Sequence, residues 1–190
     1  AAYARHRERT GPPMSLSNNR RDEMLRVDHA GEYGAVAIYR GQLAVFQRQP
    51  GRERITEQLK GMEAEEQEHL DAFDKMLNAG NTRPTALSPI WNAAGFALGA
   101  ATALLGEKAA HACTEAVETV IEEHYGDQIA ELEAAGETEL AARMTKFRDE
   151  EIAHKELATA EGAAEAPAYP VLSALIRFGC RAAIRISEKV

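Results

Sequence analysis

The chain has 190 residues and a formal net charge of −8, with 30 acids against 22 Lys and Arg. That length suits one domain whose core needs no staples, and that charge excludes a nucleic-acid backbone as the main partner. The only cysteines, Cys113 and Cys180, lie far apart with no CxxC, which excludes a thiolate zinc or rubredoxin-type site and suits a reducing compartment.

The first stretch, AAYARHRERTGPPMSLSNNR, carries several Arg, a single acid, a Gly-Pro-Pro and a Ser/Asn run. Residues 1–20 are therefore expected to be a disordered arm, the remnant of either a transit peptide or a tag, and residues 21–190 the folded domain.

From Arg21 onward helix formers dominate, and Gly and Pro cut the chain into pieces. Helices are predicted over 21–49, stopping at Pro50-Gly51, and over 53–78, ending in AGNTRP. An apolar segment follows over 86–105, up to Gly106. Two more long helices are predicted over 108–134 and 138–160, and a last one from beyond Pro167 to the C-terminus. Two short-looped pairs joined by a long link describe an all-α four-helix bundle with one crossover and an additional C-terminal amphipathic helix.

Two short motifs repeat on these helices. Residues 65–69 read EEQEH and 150–154 read EEIAH, so Glu66 with His69, and Glu151 with His154, stand three apart on one helix face. An isolated acid precedes each motif: Glu32 before the first and Glu118 before the second. Each isolated acid has a Tyr two turns later on its own face, Tyr39 and Tyr125. A duplicated helical hairpin explains these matched offsets; chance explains them poorly.

One Glu from each of two helices, with a Glu-x-x-His from each of the other two, is the ligand set of a di-iron or di-manganese carboxylate site. Its charges balance, because four carboxylates offset two divalent ions. Without metal, four acids meeting in a low-dielectric core would each cost several kcal/mol unless protonated. Oxygen-rich ligands with two imidazoles suit iron or manganese better than structural zinc.

The segments RVDHAGEYGAVAIYRGQ around Glu32, SPIWNAAGFALGAATALLG at 88–106, HACTEAVETVIEEHY at 111–125, KFRDEEIAH at 146–154 and APAYPVLSALIRFGCRAAIRISE at 166–188 carry a resemblance. Together they are similar to the demethoxyubiquinone hydroxylase family of ubiquinone biosynthesis, from about Arg21 to Val190. The resemblance implies a ferritin-like, membrane-bound di-iron monooxygenase that hydroxylates the ring of a polyprenylated quinone with O₂ and electrons from NADH. It implies metal ligands at Glu32, Glu66, His69, Glu118, Glu151 and His154, with Glu66 and Glu151 bridging. It also implies roles beside the metal for His124 and Tyr125. A lipid-binding accessory protein is implied as a partner. Glu122, one turn after Glu118, departs from the expected small or neutral residue and is expected to face solvent.

No charged residue lies between Arg83 and Glu107, yet the densest apolar stretch is shorter than the roughly 20 residues a span needs. A crossing there would also put the two halves of the ligand set on opposite sides of the bilayer. The segment is therefore read as a crossover helix, either lying flat on lipid or fully buried. In the last helix Arg177, Arg181, Arg185 and Lys189 recur every four residues beside ample apolar surface. This stripe suits an anionic membrane surface, with complementing the helix dipole as its plainer use.

The expected function is thus a peripheral membrane di-iron monooxygenase, in a small homo-oligomer, on a mitochondrial or bacterial inner membrane. The sequence contains no Gly-rich dinucleotide fingerprint. The rival readings are a ferritin-like iron store, a rubrerythrin-like peroxidase and a metal-free membrane scaffold.

Overall fold

The structure, a computed structural model, describes residues 16–190. The expected arm falls outside the described residues at 1–15. Positions 18–20, also assigned to it, form the first turn of a helix instead. Ser17 explains the earlier start, because its side chain accepts the Arg20 amide at 3.2 Å and satisfies one of the free N–H groups there.

Six α-helices follow: α1 Asn18–Phe46, α2 Glu53–Gly80, α3 Ser88–Leu104, α4 Glu107–Ala134, α5 Thr138–Ala160 and α6 Tyr169–Ser187. A short 3-10 turn, Ala163–Glu165, that the sequence did not announce links α5 to α6. Among the described residues there is no strand. The helix α1 stops at Phe46, before the Pro50-Gly51 breaker, and a turn covers the interval.

Helices α1 and α2 form one hairpin, α4 and α5 the other, and the two hairpins pack into a four-helix bundle of the ferritin-like kind. The reason lies in the apolar spacing. On α2 the buried stripe runs Ile55, Leu59, Met62, Glu66, His69, Phe73, Leu77. On α5 it runs Leu140, Met144, Phe147, Glu151, His154, Ala158. Both follow the alternating four-and-three rhythm that keeps one face of a helix on its neighbours. Within each stripe, a Glu and a His take the place of apolar residues at mid-length.

The crossover helix α3 lies along α1. A Cβ on Gly99 would collide with the Ile38 carbonyl oxygen, and one on Gly41 with that of Phe96, so both glycines are needed for the close seam. α3 is not fully buried. Ile90, Leu104 and Leu105 are each more than half exposed, as are Val171, Leu175 and Phe178 on α6. Among the described residues, no helix is long and apolar enough to cross a membrane.

The basic stripe of α6 is divided. Arg177 donates to Glu115 at 2.6 Å and Arg181 to Glu123 at 2.8 Å, which ties α6 to α4. Arg177 is half-buried, whereas Arg181, Arg185 and Lys189 are exposed. The i, i+4 pattern alone could not separate docking cations from surface cations.

Candidate metal centre

Glu32 on α1, Glu66 and His69 on α2, Glu118 on α4, and Glu151 and His154 on α5 all turn inward at mid-bundle and are buried. They form two overlapping groups. Glu32, Glu66, His69 and Glu151 bring ligand atoms within 4.8 Å of one another, and Glu66, Glu118, Glu151 and His154 do the same. Glu66 and Glu151 belong to both, so each can face two ions at once. Both Glu66 oxygens, Glu151 Oε2 and His154 Nδ1 are buried without a hydrogen-bond partner. Buried polar atoms are rarely left this way unless an ion or water completes them. Oxygen-rich ligands with two imidazoles, arranged as two adjoining sites, fit a pair of iron or manganese ions.

The electrostatics agree. Burial, then the nearby charges of Glu151 and Glu32, push the Glu66 carboxyl well above the usual carboxylate range. Burial and Glu151 do the same to Glu118. Burial would lower the two histidines, but the carboxylates around them win. His69 is raised to about 11, chiefly through Glu151 and Glu32, and His154 to about 9, through Glu151 and Glu118. The buried cluster thus gathers protons.

Each histidine is held from behind. His69 presents Nδ1 to Glu151 at 3.1 Å, while its Nε2 meets Glu150 Oε2 at 2.8 Å. His154 Nδ1 lies 3.2 Å from Glu66 Oε1 without hydrogen-bonding it, while its Nε2 meets Glu65 Oε2 at 2.9 Å. A carboxylate on Nε2 keeps the proton there and leaves the Nδ1 lone pair for a metal. The holding partners are crossed: α5 supports the histidine of α2, and α2 that of α5. Sequence reasoning missed Glu65 and Glu150. The signal was present in the doubled acid that opens both EEQEH and EEIAH.

The tyrosines are crossed too. Tyr39 donates to Glu118 at 2.9 Å, and Tyr125 donates to Glu32. Each shares a helix face with its own Glu and reaches the Glu of the other half. His124 is in neither ligand group; its Nε2 meets Asp28 Oδ1 at 2.9 Å, behind Tyr125. Glu122 pairs with Lys155 and is in neither group, so the charge balance of the four carboxylates stands.

A cavity of about 560 Å³ lies between α3 and α6 and is floored by α1 and α4. Its wall is apolar, from Ile38, Leu98, Val117, Ile121, Leu175 and Ile176 among others. Gly31 and Val117, which line it, adjoin Glu32 and Glu118 in sequence. Trp91 also lines it, and its indole N–H is buried without a partner.

Residues 19–187 match the family model described as ubiquinone biosynthesis protein COQ7. The chain is 51% identical over 169 residues to the 3-demethoxyubiquinol 3-hydroxylase of Rhodospirillum rubrum, covering 89% of this chain and 78% of that protein. It is 46% identical over 183 residues to the mitochondrial NADPH-dependent 3-demethoxyubiquinone 3-hydroxylase of Bos taurus, covering 93% and 82%. It is 37% identical over 184 residues to the mitochondrial 5-demethoxyubiquinone hydroxylase of Saccharomyces cerevisiae, covering 89% and 78%. With the crossed Glu/His cluster set in a four-helix bundle, the match places this chain in the COQ7 family, that of the demethoxyubiquinone hydroxylases.

Proposed function

We propose that the protein is a di-iron monooxygenase that hydroxylates the ring of a polyprenylated demethoxyubiquinone or its quinol at a membrane surface. The observation that carries this reading is the pair of overlapping Glu/His groups in a bundle whose α1 and α4 also floor an apolar cavity. Glu32, Glu66, His69 and Glu151 would hold one iron and Glu66, Glu118, Glu151 and His154 the other. Such a pair supplies two-electron chemistry with O₂. Electrons come from a reduced nicotinamide; the name of the bovine relative specifies NADPH.

The remaining work belongs to the side chains. The apolar cavity walls exclude water from the reacting ring. The free N–H of Trp91 offers one donor for a ring oxygen. Tyr39 and Tyr125 fix the orientation of Glu118 and Glu32, and Glu65 and Glu150 fix the two histidines. His124 acts beside Tyr125 and not on the metal.

A polyprenyl tail resists water, since each buried CH₂ gains about 0.8 kcal/mol. The exposed apolar residues of α3 and α6 flank the cavity and suit contact with lipid, so the tail would enter from the bilayer between those helices. The protein is then peripheral, on a mitochondrial or bacterial inner membrane, served by a lipid-binding accessory protein and assembled as a small homo-oligomer. A hollow iron-storage shell is disfavoured by that same apolar surface.

The test is direct. Iron-loaded protein incubated with a demethoxyquinone, reduced nicotinamide and air should yield product heavier by one oxygen atom, taken from ¹⁸O₂ and not from water. Unchanged quinone from a protein carrying its iron would reject the activity.

A further inference from the structure

The repeat between α1 and α4 breaks at one place. Glu32 corresponds to Glu118, Tyr39 to Tyr125 and Gln42 to Gln128, each pair at the same sequence offset. At that offset Asp28 matches Thr114, and His124 matches Ile38. One half therefore carries an acid and a base where the other carries a hydroxyl and a hydrocarbon.

The acid and base are wired together. Asp28 is buried one turn before Glu32. Its Oδ1 meets His124 Nε2 and accepts from Gln128 Nε2, both at 2.9 Å. Its Oδ2 is buried with no protein partner. The His124 side chain is 16% exposed and reaches solvent. The Tyr125 hydroxyl donates to Glu32, one turn after Asp28, and is close enough to feel the Asp28 charge. Among the described residues the other half has no such wiring. Gln42 donates to the backbone oxygen of Ala110 at 3.1 Å, while the Thr114 hydroxyl and both His111 ring nitrogens are buried and unpartnered.

We propose that Asp28, with His124 and Gln128, is the proton inlet of the metal centre and serves its Glu32 side alone. This rests on the monooxygenase reading. Hydroxylation of a ring C–H by O₂ consumes two electrons and two protons, and the second oxygen atom leaves as water. The electrons are those of the reduced nicotinamide, whereas the apolar cavity wall offers protons no path. In the relay, water protonates His124 at Nδ1 while the Nε2 proton passes to Asp28 Oδ1. The proton already on Asp28 leaves from Oδ2 toward the Tyr125–Glu32 pair. One proton enters and one is delivered; rotation of the Asp28 carboxyl, and return of the His124 ring proton from Nδ1 to Nε2 through solvent, reset the relay. Gln128 cannot ionise; it holds Oδ1 in line. Burial favours the neutral carboxyl this requires, against the opposing pull of His124 and Gln128. The other charges facing the relay are Glu32 on the Asp28 side, and Arg20 and Glu188 on the His124 side.

Exchange of the two buried tyrosine hydroxyl protons with solvent, followed by NMR in metal-free protein, tests the relay without turnover. Each hydroxyl donates to a buried Glu, so Tyr39 is the internal control for Tyr125. The Tyr125 proton should exchange about tenfold or more faster than that of Tyr39. Asp28→Asn should remove the difference and leave Tyr39 unchanged, and His124→Gln should act likewise if Asp28→Asn does not fold. Equal rates in the unaltered protein, or a Tyr125 rate indifferent to both variants, would overturn the relay. In iron-loaded enzyme, Asp28→Asn should keep its iron, slow turnover about tenfold or more and enlarge the solvent deuterium isotope effect. Unchanged turnover and isotope effect would overturn it too, whereas an unaltered protein that binds no iron would count against the metal reading alone.

Discussion

Tyr39 on α1 donates its hydroxyl to Glu118 on α4 at 2.9 Å, and Tyr125 on α4 returns the contact to Glu32 on α1. The two hairpins thus complete one another: neither acid receives its tyrosine from its own helix. Both hydroxyls are buried, and burial with the adjoining carboxylates pushes them well above the usual phenol range. They stay protonated and donate to the two glutamates.

Removing one donor leaves a buried carboxyl oxygen without its partner. Tyr39→Phe is expected to lower unfolding stability by about 1–3 kcal/mol, with helix content unchanged. Urea unfolding of the metal-free variant measures it. A loss near zero would mean that water replaces the hydroxyl.

The carboxylates behind the histidines matter for metal and little for folding. Glu150 and Glu65 are partly exposed, so loss of either leaves no large cavity. Glu150→Ala and Glu65→Ala are each expected to weaken metal binding by about 10–100-fold, the usual effect of removing the group that orients a ligating imidazole. Chelator competition reads this directly. Unaltered affinity in both variants would reduce Glu65 and Glu150 to ordinary surface acids.

Metal uptake must displace protons. With His69 raised to about 11 and His154 to about 9, both rings are charged at neutral pH in the metal-free chain. Each must lose a proton to offer its Nδ1. Binding therefore releases protons and strengthens as pH rises from 6 toward 8, and the contribution of His154 fades first, above about 9. Calorimetry in buffers of different ionisation enthalpy counts the protons released. A count of zero would show that the rings are neutral before metal arrives.

The apolar residues left outside on α3 and α6 should drive membrane contact. Phe178 is 73% exposed and Leu175 65%. Burying such a side chain in lipid gains about 1.5–3 kcal/mol, so Phe178→Asp should weaken binding to lipid vesicles by tenfold or more. Co-sedimentation measures the partition. An unaffected partition would move the membrane face elsewhere.

Much of the candidate site was legible because side chains that meet at mid-bundle share a helical period. Glu66 with His69 and Glu151 with His154 repeat at helical spacing, and Glu32 and Glu118 recur at matching offsets. The helix ends followed Gly and Pro closely, except in α1, where the Ser17 cap set an earlier start and the helix stopped at Phe46, short of Pro50-Gly51. What escaped depends on contacts across the bundle. That Tyr39 bonds the Glu of the opposite helix, and that Arg177 and Arg181 dock α6 on α4, follows from how helices face one another, which no single-helix pattern contains. Asp28 escaped for a related reason: in sequence it reads as one acid among many, and only its burial against His124 and Gln128 sets it apart.

The six converging side chains are best tested by anaerobic titration of metal-stripped protein with ferrous ion. Binding should saturate at two ions per chain, as the paired carboxylate groups require. Glu151→Ala, which removes a ligand common to both groups, should lose most of that capacity while remaining folded. Saturation at a single ion or none, or a Glu151→Ala protein that still takes up two, would contradict the account.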